Sequence, residues 1–115
     1  MTTRSRRSVL LLLGLAQRAG ALARGTGSTQ RAVRDGRARL VLVARDASEV
    51  QLEKVIKLLR HRDIPRVTVG DRAELGSAVG SAPLSAVAVT DENFAKQLGG
   101  KLALSVRTSD ETERR

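Results

Sequence analysis

The spacing of apolar positions divides the chain into predicted helices and strands. Apolar residues three and four positions apart are typical of helices packed on one face, and continuous β-prone runs are typical of strands covered on both faces. The predicted helices are residues 9–23, residues 28–35, the segment from a Ser48 cap through Leu59, residues 71–79 and residues 91–98. The predicted strands are residues 40–44, 66–69, 86–89 and 101–106.

Helices and strands alternate along the chain, which favours an α/β fold in which helices cover a sheet. We therefore expect a three-layer α/β/α sandwich with a small mixed sheet. The 115 residues suffice for a single domain with a core, and neither an internal repeat nor a linker divides them. The predicted domain spans residues 9–106, between a basic N-terminal arm at residues 1–8 and a disordered polar tail at residues 107–115.

Positive charge is concentrated in the first third of the chain. The net charge is +9, and residues 1–39 contain nine arginines and a single acid, whereas residues 40–115 contain twelve bases and eleven acids. A localised positive field attracts polyanions, and phosphate backbones are the commonest such partner. A solvated face beside a disordered tail is the other interpretation of this pattern.

The composition excludes several kinds of site. There is no cysteine, so thiolate metal ligands and disulfides are excluded and the chain is expected in the cytoplasm. Phe94 is the only aromatic residue, which excludes a row of rings that stack on bases. The apolar run Val9–Ala16 is too short to span a membrane. A signal peptide is an alternative interpretation of this run, but Gln17 and Arg18 separate it from any cleavage site.

The most informative segment is Gly25–Arg31, which reads GTGSTQR. Its two glycines permit a tight turn, and the helix that follows starts with free N–H groups and a positive dipole end. Thr26 or Ser28 can cap this helix, and Arg31 falls on the same side as Ser28. The arrangement suits a phosphate or a base edge, although plain capping explains it as well. It is not a Walker loop, because no Gly-Lys-Ser/Thr follows, and it lacks the preceding strand and third glycine of a dinucleotide fingerprint.

Catalytic chemistry finds little support in the sequence. His61 is the only histidine and has no evident partner, so we interpret it as a surface residue. Asp46, Asp71 and Asp91 follow predicted strands and precede helices, where acids carry function or cap the helix; we interpret them as caps. Without a nucleophile–base pair or a metal-ligand cluster, we expect no enzymatic activity, no cofactor and no metal. An enzyme that binds a small phosphorylated ligand at residues 25–28 is the alternative.

Several motifs occur together in an order that resembles a known family. They are LGLA at residues 13–16, the segment 25–31, GRARLVLVARDAS at residues 36–48, Ile64-Pro65, Glu74-Leu75-Gly76 with Ala78 and Gly80, and SAVAV at residues 85–89. In combination they resemble the ribosomal protein L7Ae/L30e family, which includes Gadd-type domains, over roughly residues 9–99. The resemblance is strongest to the small bacterial YlxQ-like branch of ribosome-associated proteins.

The resemblance implies an α/β/α sandwich that binds RNA, in the best-known members a kink-turn. In those members a Gly-x-Asn-Glu-x-x-Lys/Arg segment contacts sheared G·A pairs, and an apolar loop before the last core strand packs on an extruded base. Gly25 and Arg31 match the first and last positions of that segment. Gly27 stands where Asn is usual and Ser28 where Glu is usual, which removes the two side chains best suited to reading base edges. The loop corresponds to residues 81–84.

We therefore expect an RNA-binding protein that recognises structured RNA, most simply ribosomal RNA, through shape and backbone contacts. The residues expected at the RNA are Arg24, Gly25, Thr26, Gly27, Ser28, Arg31, Arg34, Arg37, Ala82, Pro83 and Leu84. Ribosomal or translation-factor proteins are further expected partners, and the chain is expected to be a monomer with no membrane partner. The alternative is a protein–protein interaction module that keeps the fold and has lost RNA binding.

Overall fold

The computed structural model describes the backbone of residues 3–113 and the side chains of residues 6–102. Within these ranges the chain forms five helices and four strands. The helices are α1 (Thr3–Arg18), α2 (Thr26–Arg34), α3 (Glu49–Leu59), α4 (Arg72–Ala78) and α5 (Glu92–Glu113). The strands are β1 (Leu22–Arg24), β2 (Leu40–Val43), β3 (Arg66–Thr68) and β4 (Ala86–Val89).

The four strands form one mixed sheet in the order β1-β4-β2-β3. Strand β4 runs antiparallel to both of its neighbours, β1 and β2, whereas β3 runs parallel to β2. A parallel pair needs a crossover, and α3 supplies it between β2 and β3. The small mixed sheet predicted from the sequence is confirmed.

Helices cover both faces of the sheet, as the alternation of side chains along β2 shows. All four β2 residues are buried. Leu40 and Leu42 belong to the core shared with α1, α4 and α5, whereas Val41 and Val43 belong to the core shared with α2 and α3. Burial on both faces is the physical reason for the continuous apolar run of this strand. The three-layer α/β/α sandwich is therefore confirmed.

The first helix differs from its prediction at both ends. Helix α1 begins at Thr3, so the helix includes most of the predicted basic arm, and it ends at Arg18 rather than at residue 23. The chain then turns and forms β1, in which Leu22 pairs with Val89 and Arg24 with Val87. A three-residue strand is too short to show a period of two, and its Ala and Leu residues are also typical of a helix. The predicted helix therefore included β1.

The predicted strand at residues 101–106 is wrong, because α5 continues through this segment. Leu98 and Leu102 are buried one helical turn apart in the core beside α1, and Phe94 packs against the same core. The sequence pair Gly99-Gly100 is typical of a helix end, but α5 continues through both residues. Helix α5 also includes residues 107–113 of the segment predicted as a disordered tail. The domain boundaries themselves stay a prediction.

Candidate functional site

One end of the sheet brings the start of α2 together with two loops. Gly25 follows β1 directly, and its N–H donates to the carbonyl oxygen of Ala86 at the start of β4, at 2.9 Å. The N–H of Ala44, just after β2, donates to the carbonyl oxygen of Ser85 at 2.9 Å. The start of α2, the turn after β2 and the loop that leads into β4 therefore lie at the same end of the sheet.

Gly25 is the N-cap residue of α2 and has a backbone conformation that favours glycine, with φ 91° and ψ 163°. The carbonyl oxygen of Gly25 accepts the first helical hydrogen bond, from the N–H of Thr29 at 2.9 Å. None of the described side chains caps the helix, so the predicted caps Thr26 and Ser28 are both wrong. The first amides of α2 are consequently left without a side-chain acceptor, and this end of the helix keeps its positive partial charge.

The strand β1 precedes this turn, which corrects one reason for excluding a dinucleotide fingerprint. A strand followed by a Gly-containing turn and a helix is the right context for such a motif. The third glycine is still missing from the sequence, and Arg31 occupies the next turn of the helix instead. The segment therefore remains an open helix start flanked by basic residues.

Replacing Gly25 with alanine is expected to lower the free energy of unfolding by about 2 kcal/mol, because residues other than glycine rarely adopt this conformation. Space is not the obstacle, since a Cβ atom there meets only the Cδ2 atom of Leu84, at 3.8 Å. Urea unfolding of the Gly25→Ala protein measures the effect. Gly27→Ala is the matched control, because Gly27 lacks a positive φ and has open space around it. Equal stability of the two variants would contradict the strain assigned to Gly25.

Arginines with unneutralised charge lie before α2 and along it. Arg24, Arg31 and Arg34 are exposed. Arg31 donates from Nη2 to the hydroxyl oxygen of Ser28 at 3.3 Å, which confirms that these two side chains share one side of the helix. Ser28 is neutral, and no carboxylate of the described residues pairs with any of these three arginines. The charge of Arg24 and Arg31 is therefore available to an anion near the start of α2, whereas Arg34, the last residue of the helix, lies about 12 Å further along its axis.

Arg37, like Arg34, lies away from the start of α2. It follows the C-terminal end of α2, and its N–H donates to the carbonyl oxygen of Ala32 at 2.9 Å. Its guanidinium pairs with the carboxylate of Asp35 at 3.5 Å. A nine-residue helix is about 13 Å long, so Arg37 is separated from Gly25 by roughly that distance. The structure does not bring it to the start of α2.

The loop at residues 81–84 lies beside Gly25, since a Cβ atom on Gly25 would be 3.8 Å from the Cδ2 atom of Leu84. Ala82 and Pro83 are exposed, and Leu84 is half-buried with its side chain against the core. The start of α2 and the apolar loop are therefore neighbours in the fold, although about fifty residues separate them in the sequence.

Helix α4 holds this loop in place through Gly76. The N–H of Ser81 donates to the carbonyl oxygen of Gly76 at 2.8 Å, and the N–H of Leu84 donates to that of Arg72 at 3.0 Å. A Cβ atom on Gly76 would lie 2.3 Å from the carbonyl oxygen of Ala82. The close approach of loop and helix thus requires glycine at position 76. In the sequence its signals are a glycine inside a predicted helix and its place in the Glu74-Leu75-Gly76 motif.

Two arginines at this end were not predicted from the sequence, because their roles depend on a long-range contact. The guanidinium of Arg45, after β2, lies 3.4 Å from the carboxylate of Asp71, and that of Arg72 lies 3.5 Å from the carboxylate of Asp46. These two ion pairs cross between the turn after β2 and the start of α4. Both arginines are thereby neutralised, so the unpaired charge stays at α2.

The three aspartates predicted as caps all accept hydrogen bonds from helix amides. Asp71 forms a capping box with Glu74 at the start of α4. Asp91 accepts from the N–H of Phe94 at 3.0 Å. Asp46 accepts at 2.8 Å from the N–H of Arg72, which belongs to α4 and not to the helix that follows it in the sequence. That next helix, α3, is capped by Ser48, which accepts from the N–H of Gln51.

The hydrogen bond from the Arg72 N–H, together with the positive charge of that arginine, lowers the pKa of Asp46 below its usual value of 3.8. A lowered pKa in the folded state means that the carboxylate stabilises the fold above about pH 4, and that this contribution is lost as the pH falls through the folded pKa. We expect Asp46→Asn to lower the Tm at pH 7 and to have a smaller effect near pH 3.

Thermal unfolding at the two pH values measures this difference. Asp63→Asn is the matched control, because Asp63 is exposed and has no ion pair among the described residues. An Asp46→Asn protein whose loss of Tm stays the same at pH 3 would show that the charge of the carboxylate is not what stabilises this contact.

Other candidate chemistry is sparse. His61 is exposed, as predicted. Across the residues that the structure describes, no group of three His, Cys, Asp or Glu side chains is arranged to hold a metal ion. Over the same part of the chain, the helices are either too short or too polar to cross a membrane.

Comparison with protein families gives a match over most of the chain. Residues 7–99 match the sequence model of the ribosomal protein L7Ae/L30e/S12e/Gadd45 family. The match includes the start of α2, its flanking arginines and the loop at residues 81–84.

Two curated bacterial proteins, each named RNA-binding protein YlxQ, are similar in sequence. The protein from Bacillus subtilis (strain 168) is 39% identical over 87 residues, which cover 76% of this chain and 87% of that protein. The protein from Enterococcus faecium is 33% identical over 97 residues, which cover 84% of this chain and 93% of that protein.

Two solved structures share the fold. One is a protein of unknown function from Bacillus halodurans, with a TM-score of 0.76 and 33% identity over 81% of this chain and 94% of that one. The other is the 15.5 kD RNA binding protein of Giardia lamblia, with a TM-score of 0.72 and 23% identity over 88% of this chain and 89% of that one.

Proposed function

The chain belongs to the ribosomal protein L7Ae/L30e/S12e/Gadd45 family, and from that premise we propose that it binds structured RNA at the start of α2. The observation that carries the proposal is the juxtaposition of an uncapped helix start, the unpaired Arg24 and Arg31, and an apolar loop at one end of the sheet. Both curated relatives are named RNA-binding proteins, which supports the same activity. No comparison favours a module that has lost RNA binding.

Phosphates are the groups that this surface suits best. Amides at a helix start and arginine side chains both donate hydrogen bonds to phosphate oxygens, and charge-assisted bonds of this kind are the stronger ones. Gly27 is exposed, and nothing lies within 4 Å of the position that a Cβ atom would take. An RNA backbone can therefore approach the start of α2 closely, with Arg24 and Arg31 on either side.

Recognition at this surface rests on shape and backbone more than on base edges. Gly27 has no side chain, and the Ser28 hydroxyl already accepts a hydrogen bond from Arg31. RNA is commonly recognised through its folded shape and its 2′-hydroxyl and phosphate groups. The exposed Ala82 and Pro83 offer an apolar surface for an unstacked base, in place of an aromatic ring.

Binding to a kink-turn RNA, and to the same RNA with its sheared G·A pairs replaced by G·C pairs, tests this mode. We expect the wild-type protein to bind both RNAs with affinities within about threefold, and both affinities to fall steeply with salt. The Gly27→Asn/Ser28→Glu variant restores side chains able to read base edges, so we expect it to prefer the kink-turn by about tenfold or more. Fluorescence anisotropy measures all four affinities. A strong kink-turn preference of the wild-type protein would contradict recognition by shape, and salt-independent binding would contradict the site.

Ribosomal RNA is the cellular target that we propose, with the protein acting as a cytoplasmic monomer beside ribosomal or translation-factor proteins. The family description supports this choice, since its named members are largely ribosomal proteins. Crosslinking in cells followed by sequencing of the bound fragments tests it. Fragments concentrated at one ribosomal RNA site are expected, and fragments spread over messenger RNAs would contradict the assignment.

A further inference from the structure

A groove between α1 and α4 lies on the opposite face of the sheet from α2. Its volume is about 660 Å³. The α1 side is formed by Arg6, Arg7, Leu10, Leu11, Gly14 and Arg18, and the α4 side by Ala73, Glu74, Ser77 and Ala78. The core contacts of α1, α4 and α5 place this groove on the layer that does not contain α2.

Two leucine side chains on α1 are exposed at this groove or next to it. Leu11 is 66% exposed and forms part of the wall, and Leu15, one helical turn further on, is 51% exposed. They are two of the three large apolar residues that are exposed among the described side chains. Contiguous exposed apolar surface of this kind, bordered by polar residues, is characteristic of interaction sites.

Unpaired arginines lie at both ends of the leucine pair. Arg7 and Arg18 are exposed and have no carboxylate partner among the residues that the structure describes, whereas Arg6 is paired with Glu74 at 3.2 Å. Eleven residues separate Arg7 from Arg18, which places them on the same face of α1 and about 16 Å apart along its axis. The groove thus has an apolar centre and a positive charge at each end.

We propose that this groove binds an acidic amphipathic helix of a partner protein. Apolar side chains of that helix cover Leu11 and Leu15, and two carboxylates about 16 Å apart pair with Arg7 and Arg18. A second copy of this chain brings the same positive charges to the contact and is therefore disfavoured. RNA can pair with the two arginines but offers no aliphatic side chains to cover the leucines. The groove therefore favours a protein partner, and it leaves the RNA site at α2 free.

Selection from a displayed library of 18-residue helical peptides tests the proposal, with the full-length, nuclease-treated protein as target. Counter-selection against a Leu11→Asp/Leu15→Asp variant removes the peptides that bind elsewhere on the protein. We expect the enriched peptides to carry apolar residues at helical spacing and acidic residues about eleven positions apart. Enrichment of peptides without acidic residues, or no enrichment over the variant, would overturn the proposal.

A synthetic peptide of the enriched sequence then separates the two surfaces. We expect Arg7→Glu/Arg18→Glu to weaken its binding at least tenfold and to leave the RNA affinity within about twofold. Val50→Asp is the control, because Val50 is as exposed as Leu11 but lies on α3. If Arg7→Glu/Arg18→Glu instead abolishes RNA binding and spares the peptide, the groove is an RNA surface and the proposal fails. Unchanged RNA binding in the α2 variants, with the peptide result as expected, would count against the proposed function only.

Discussion

Reversing the charge of both Arg31 and Arg34 is expected to weaken RNA binding by about 100-fold or more at moderate salt. Each arginine is exposed and unpaired with any described carboxylate, so its full charge is available to a phosphate. A hydrogen bond to a charged group contributes about 1.5 kcal/mol or more, and the loss of two corresponds to about two orders of magnitude in affinity. An anisotropy titration of the Arg31→Glu/Arg34→Glu protein measures this loss of RNA affinity directly.

Salt dependence identifies the lost contacts as phosphate contacts. If both arginines neutralise phosphates, the slope of log K against log salt becomes shallower by about 1.5 to 2. The control is Arg62→Glu/Arg66→Glu, which changes the net charge equally. Arg66 pairs with Val41 at the start of β2, at the opposite end of the sheet from Gly25. An equal loss of affinity in this control would show that overall charge, and not this surface, attracts the RNA.

Glutamates in the last turn of α2 also oppose the helix dipole, which lowers stability by up to about 1 kcal/mol. The neutral Arg31→Gln/Arg34→Gln protein avoids most of this effect, and we expect it to bind RNA about tenfold more weakly than the wild type. A folded Gln variant with unchanged affinity would contradict the assignment of both arginines.

Replacing Gly76 with alanine is expected to lower the free energy of unfolding by about 3 kcal/mol, at the upper end of overpacking effects. The added Cβ atom would lie 2.3 Å from the carbonyl oxygen and 2.7 Å from the carbonyl carbon of Ala82, and 2.9 Å from the Cα atom of Pro83. All of these are backbone atoms, so no side-chain rotation relieves the overlap. The loop has to move away from α4, and with it the apolar surface beside Gly25. RNA affinity is therefore expected to fall together with stability.

Gly99 provides a matched control for this substitution. It also lies inside a helix, α5, but nothing is within 4 Å of the position that its Cβ atom would take. Alanine is the better helix former, so Gly99→Ala is expected to stabilise the protein by about 0.5 to 1 kcal/mol. Urea unfolding of both variants compares the same chemical change in two environments. If Gly76→Ala were as stable as the wild type, the loop would not be held against α4 as described.

The fold was predictable where burial leaves a regular pattern in the sequence. Leu40–Val43 is apolar throughout because both faces of β2 are covered, and the second helix was predicted from the small buried face of Thr29, Ala32 and Val33. The segment 101–106 was mispredicted because its apolar residues fit either a strand or a helix. The burial of Leu102 against α1 favours the helix over the strand, and the local sequence pattern contains no sign of that long-range contact.

The candidate site was predictable in its parts but not in its assembly. Periodicity and charge indicate the start of α2, and the family resemblance indicates the loop at residues 81–84. Neither reveals that Gly25 caps its helix without a side chain. Neither predicts that Asp46 caps a helix other than its own. These properties depend on pairs of residues far apart in the sequence, and they become visible only once the strands are in register.

The contact between Gly76 and Ala82 fixes the backbone path of the loop and leaves its side chains free to change. The contact is made by the backbone of the loop, so the path of the chain is held whatever side chain stands at position 82. Ala82 and Pro83 themselves face solvent. Single substitutions at these positions can therefore alter the proposed RNA surface without refolding the loop. Members of such a family can diverge in target while their scaffold stays the same.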